Sequence, residues 1–230
     1  MTGLSPAEWS ALGLSLRVAL ISVALSLPFA LGLGWLLSRK RFPGRLLLEA
    51  LMFLPLTLPP VVTGYALLVL FGRHGWIGDA LAEIGIVFAF RWTGAVLAAA
   101  VMGFPLLVLS TRIAFDQVDQ RLERAAESLG ASAWRRFVTI VLPLSSRGII
   151  AGCVLAFARA FGEFGATITF VSSIPGETRT LPIAIYELMN LSGGESGVQR
   201  LTMVAFVVAF GATAVAAILG GALWGRRRRD

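Results

Sequence analysis

The sequence predicts an all-α polytopic membrane protein with five membrane-crossing helices. Three observations carry that prediction. The 230-residue chain is 57% hydrophobic and only 14% charged, too apolar for a soluble domain. Its apolar residues fall in runs long enough to cross a bilayer core of about 30 Å, which takes about 20 helical residues. Its basic residues recur in alternate connections between those runs.

The first run extends from about Leu12 to Leu37, the second from Leu46 to Phe71, the third from Trp92 to Ile113, the fourth from Gly148 to Val171 and the fifth from Leu201 to Trp224. They make one membrane domain, about 11–220, with a connecting loop at about 116–147 and a second at about 172–200. The start does not read as a cleaved signal peptide, because Glu8 precedes the first run, no basic residue does before Arg17, and the run itself is too long. Strand-length alternation of polar and apolar residues is absent, which removes a transmembrane barrel.

Arg39, Lys40, Arg41 and Arg45 follow the first run, Arg112, Arg121, Arg124, Arg135, Arg136 and Arg147 the third, and Arg226 to Arg229 the fifth. The other connections hold only Arg73, Arg91, Arg179 and Arg200. The positive-inside rule therefore places the N-terminus outside and the C-terminus in the cytoplasm. The formal charge of +7 is thus topological, and no nucleic-acid partner is implied. Trp9, Trp76, Trp92 and Trp224 sit near run ends, where indole rings anchor in the headgroup region. Arg17 lies close enough to the outer end to snorkel.

One cysteine, Cys153, and one histidine, His74, leave no internal disulfide and no cluster with metal-ligand spacing. Cys153 reads as a small packing residue. With no H-E-x-x-H, G-x-S-x-G or G-x-x-x-x-G-K-[ST] sequence, the chain has neither a hydrolase constellation nor a phosphate loop of its own. No internal repeat of the kind that marks secondary transporters is visible.

Between the third and fourth runs, Leu122, Ala125, Ala126 and Leu129 form an i, i+3, i+4, i+7 stripe on a short helix. Gly130 ends it, and Ser132 is placed to cap a second helix running through Trp134, Phe137, Ile140 and Pro143 into the fourth span. Physics alone allows an interfacial helix or a docking helix for a cytoplasmic partner.

Inside the membrane, Arg159 and Glu163 have i, i+4 spacing and can pair. An ionisable residue at the centre of a span costs about 2.5–3.5 kcal/mol on insertion scales. Gly148, Gly152, Ala156, Arg159, Glu163 and Ala166 share one helix face that must meet protein or water, and Gly148 and Gly152 have the spacing of close helix contact. The pair can be structural or can line a polar path. In the second run Pro55, Pro59 and Pro60 interrupt the helix, and broken backbone at membrane depth must be buried or line a cavity. Thr57 and Thr63 can present hydroxyls there. In the loop at 172–200, Thr180 is placed as the N-cap of a helix with Pro182 in its first turn. Arg179 beside that helix start suits an anion or an extracytoplasmic partner protein.

The order Ala125-Ala126, Gly130, Ile140, Leu142-Pro143 resembles the EAA loop of bacterial ABC importer permeases. Arg124 stands where that family carries its leading glutamate, with Glu123 one place earlier. The stretches Leu54 to Tyr65 and Phe157 to Tyr186, with Glu163 and Thr167 among them, are similar to the molybdate branch of that family more than to its sulfate and thiosulfate branches. The resemblance implies a type I importer fold and a coupling helix formed by Leu122, Glu123, Arg124, Ala125, Ala126, Leu129 and Gly130. It implies a homodimer of permeases with two cytoplasmic ATPase subunits and an extracytoplasmic oxyanion-binding protein. ATP-Mg would then sit on the ATPase and no cofactor on this chain, which is itself no enzyme. Alternating access in a bacterial or archaeal inner membrane is the implied mechanism, with Thr57, Pro59, Pro60, Thr63, Arg159, Glu163 and Thr167 as pathway candidates. Tungstate, or sulfate and thiosulfate, are the alternative substrates.

Overall fold

In the computed structural model, which describes residues 3–224 and their side chains as far as residue 218, the chain is helical with no strand among the described residues. Arg226–Arg229 lie outside the described residues, as does the side chain of Trp224.

Helix α1 (Pro6–Arg39) starts in a capping box. Ser5 and Glu8 satisfy one another's backbone N–H groups, and the helix then runs for about 51 Å at 1.5 Å per residue. α5 (Trp92–Asp116) is the centre of the bundle and packs along α1 on one side and α8 (Leu142–Phe161) on another, while α11 (Glu195–Trp224) packs on α8. Small residues make the approach close. A Cβ on Gly152 of α8 would lie 2.6 Å from Ser110 Cβ of α5, and Gly34 of α1 faces Thr111. Thr111, fully buried, donates to the Ala30 carbonyl across the α1–α5 contact (3.1 Å). Cys153 packs among the apolar side chains of this core.

Among the described residues, four helices are long and apolar enough to cross a membrane, and a bent pair of helices passes the same test only when taken together, which makes four spans, or five if the pair counts as one. That pair is α2 (Arg45–Thr57) and α3 (Pro60–Phe71), which meet at 114°. The expected single run Leu46–Phe71 is therefore two helices rather than one kinked helix. Pro59 and Pro60 in succession remove two backbone donors, and the residue before each proline is driven from the helical region.

The fourth span also needs correction. Its helix does not reach from Gly148 to Val171. The crossing segment is Ala133–Phe161, entered through α7 (Ala133–Arg136) and a π-helical turn at Phe137–Val141 just before Pro143. It stops at Gly162, and Gly165–Val171 forms a separate helix, α9. The remaining helices are short: α4 (Gly78–Glu83), α6 (Gln120–Ser128) and α10 (Leu181–Met189).

Two of the three basic connections that sequence spacing grouped together meet at one end of the bundle, where Arg39 of α1 pairs with Glu123 of α6 and Arg112 of α5 with Glu49 of α2; the third, Arg226 to Arg229, lies outside the described residues. At the other end Glu8 and Arg200 pair at 2.8 Å. Arg17 does not simply reach for water; its guanidinium lies 3.9 Å from the centre of the Trp92 ring, a cation–π contact that the sequence spacing left invisible.

Candidate functional site: two helix breaks and an exposed amphipathic helix

The two interrupted spans meet at their interruptions. A Cβ on Gly64 of α3 would lie 2.5 Å from the Ala166 carbonyl oxygen of α9, and one on Gly165 would lie 2.8 Å from Pro60 Cβ. Glycine at these two positions is what lets α3 and α9 touch.

Glu163 holds the second break together. Its side chain is 2% exposed; Oε1 accepts from the Ala166 N–H on the far side of the break (2.9 Å), and Oε2 pairs with Arg159 on the near side. The carboxylate thus bridges α8 and α9, which gives the buried charge both a cation and a backbone donor. Arg159 keeps more than a quarter of its side chain exposed. Thr167 is buried in α9 beside this bridge, and Thr63 is buried in the first turn of α3 with its hydroxyl unpartnered. Thr57 donates to its own helix, to the Leu54 carbonyl (3.0 Å). Thr57, Pro59 and Pro60 are exposed, as are Val61, Val62 and Tyr65 beyond them. The breaks therefore border an open face of the chain.

A cavity of about 970 Å³ lies elsewhere, between α1, α2 and α5. Its lining, from Ile21 and Phe29 to Trp92 and Phe104, includes no charged side chain, and it is a poor host for an ion.

At the far end of the bundle, α10 begins as its sequence predicts, but its cap is different. The Thr180 hydroxyl is buried and unpartnered, and the Leu181 N–H is taken by Ser15 of α1 at 2.6 Å. Arg179 pairs with Glu187 (2.8 Å) and donates to Ser173 (3.3 Å), so its charge is already compensated.

The amphipathic helix α6 stands out from the bundle with no buried residue. Asp119 caps it by accepting from the Arg121 N–H, and Gly130 ends it at φ 84°, the left-handed turn that favours glycine. Leu122, Arg124, Ala125 and Leu129 are exposed, Leu129 at 87%. Glu123 and Ala126 are half-buried and turn toward the body. Ile140 lies within the π turn, and Leu142 and Pro143 open α8. The side chains nearest the tip of α6 that reach back are Glu127, paired with Arg136 at 2.7 Å, and Glu123, paired with Arg39 at 2.7 Å.

A protein with this fold and this exposed helix has clear relatives. Residues 12–229 match the family described as binding-protein-dependent transport system inner membrane component. The chain belongs to that family. Among curated proteins, a molybdenum transport system permease protein of Escherichia coli K12 is 58% identical over 90% of both chains. A sulfate transport system permease protein of Synechococcus elongatus is 37% identical over 77% of this chain and 62% of its own. Among solved structures, a bacterial alginate ABC transporter in complex with an alginate-bound periplasmic protein covers 94% of this chain and 77% of its own, at a TM-score of 0.68 and 16% identity. At that identity the structural likeness shows the fold alone: this family member is a multi-pass transport permease with the architecture of an ABC importer membrane subunit.

Proposed function

We propose that this chain is the membrane-spanning permease of an ATP-driven importer for molybdate. The observation that carries the substrate is the 58% identity to a molybdenum permease over nine-tenths of both chains, against 37% to a sulfate permease over a shorter span. Two copies form the path, with the α2–α3 and α8–α9 breaks of each lining it from facing sides. The open face at Val61, Val62 and Tyr65 is where a second copy completes an otherwise half-built channel. Two ABC ATPase subunits bind ATP-Mg on the cytoplasmic side, and an oxyanion-binding protein delivers molybdate from outside to the face bearing α10 and Arg179. The chain itself hydrolyses nothing and resides in a bacterial or archaeal cytoplasmic membrane.

Leu122, Ala125 and Leu129, with Arg121 and Arg124 beside them, form the surface that seats α6 in the ATPase groove. ATPase closure moves α6, the spans rock about the dimer contact, and the path opens outward; hydrolysis resets it. The decisive measurement is uptake by the complete complex, reconstituted with its ATPase and binding protein in vesicles. Molybdate should be taken up in preference to sulfate at equal concentration, and uptake should require ATP. Preference for sulfate would move the chain to the neighbouring branch, and tungstate uptake at the molybdate rate would widen the substrate to both.

A further inference from the structure

The covalent route from α6 to the spans runs through a three-residue turn to α5 and through Gly130 to α7. α6 hangs between two turns, and Gly130 sits in one of them at φ 84° with no atom within 4 Å of the position a Cβ would take. A side-chain route runs beside it. Arg39 is the last residue of α1, where a cation complements the helix dipole. Its Nη2 donates to the Phe115 carbonyl at the end of α5 (2.9 Å) and its Nη1 to Ser38 Oγ (3.1 Å), while Nη2 also lies 2.7 Å from Glu123 Oε1 of α6, an ion pair of opposite charges without a hydrogen bond between them. Ser38 in turn donates to Asp116 of α5 (2.5 Å). Side-chain exposures of 9% for Arg39 and 19% for Glu123 shield this pair from water and salt. The other tie on α6, Glu127 to Arg136, leaves Glu127 63% exposed and is correspondingly weak.

We propose that Arg39 is a positioning residue for transport. Its fork fastens the coupling helix to the joined ends of α1 and α5, so that a push on α6 moves that helix pair as one body. Glu123 then belongs to this joint and not to the ATPase-facing surface. The inference rests on the coupling-helix reading of α6. Among the described residues α1 and α5 share the most extensive helix contact, so a force delivered there displaces a packed pair rather than a single segment.

The test uses the full complex with ATPase and binding protein in proteoliposomes, with molybdate transported per ATP hydrolysed as the readout. Arg39→Gln and Glu123→Gln should each retain the ATPase on purification yet lower that ratio by about tenfold, within the range of coupling between linked sites. The double variant should be no worse than either single one, since both remove the same contact. Arg39→Lys, which keeps the charge and loses the fork, should recover part of the ratio. A parental ratio in both single variants, additive losses in the double variant, or loss of the ATPase on purification would each overturn the proposal. Should Arg39→Gln fail to accumulate in the membrane, Glu123→Gln, more exposed and still able to hydrogen-bond, carries the same comparison. Failure of the underlying reading shows elsewhere, as an Ala125→Trp chain that assembles and transports at the parental rate.

Discussion

Glu163 sits one helical turn beyond Arg159, and the function of that spacing emerges only with the break that follows it. The carboxylate binds forward to the Ala166 N–H as well as backward to Arg159, so it fastens two helices and is more than a neutralised charge. Glu163→Gln keeps an oxygen for Ala166 and loses the ion pair. Because Arg159 reaches water, the cost should fall to roughly 1–2 kcal/mol from the 3–5 of a fully buried pair. Glu163→Ala loses both bonds and should be clearly less stable than Glu163→Gln by thermal unfolding in detergent; equal midpoints would remove the bridging role. Glycines give a sharper contrast. Gly64→Ala drives a methyl toward the Ala166 carbonyl, 2.5 Å away, and should destabilise by about 1–3 kcal/mol. Gly32→Ala in α1 meets nothing within 4 Å and should gain up to about 1 kcal/mol of helix propensity. The same unfolding measurement separates them.

At the scale of elements, α6 shows what a short sequence can and cannot specify. Its stripe, its glycine stop and the Ser132 cap of the next helix were all legible from residue spacing, because each depends on neighbours within a turn or two. Which edge of the stripe faces outward was not, since Glu123 is held inward by Arg39, a residue far away in the chain, and Ala126 is half-buried on the same side. Ala125→Trp is therefore the substitution that tests docking, and it should abolish ATPase co-purification while the chain still inserts. Ala126→Trp would also press on the chain's own body. Gly130→Val forces a β-branched residue into φ 84° at a cost of roughly 1–2 kcal/mol and should loosen the same contact. The helix breaks were half legible. Three prolines announced an interruption near Pro59, but the end of α8 carries no proline, and Gly162 with Glu163 looked like the interior of a longer apolar run. The pairing of Gly64 with Ala166 and of Ser15 with the start of α10 depends on tertiary approach and leaves no local signal.

At the scale of the whole molecule, composition and run length were enough for the membrane class and for the four continuous spans, because bilayer thickness sets the length of each run. The bundle adds that Arg39, Glu49, Arg112 and Glu123 converge at one end while Glu8, Arg179, Glu187 and Arg200 occupy the other. If the first end is cytoplasmic, cysteines placed at exposed Ser128 and Ser196 in a Cys153→Ala background should react with an impermeant thiol reagent from opposite sides of the membrane. Reaction from one side would overturn the orientation.

The Glu8–Arg200 contact has a consequence for the order in which the protein is made. The two residues are 192 positions apart, so at 5–20 residues per second the ribosome supplies Arg200 about 10–40 s after Glu8. During that interval the carboxylate has only the local Ser5 bonds, and α1 waits in the membrane without the cation that pairs with its first-turn acid. Arrival of the last span closes the bundle by joining the first helix to it. A nascent chain halted before α11 lacks that closure and exposes the α8 surface on which α11 packs. Until α11 is made, the start of the first helix therefore lacks the ion pair that ties it to the far end of the sequence.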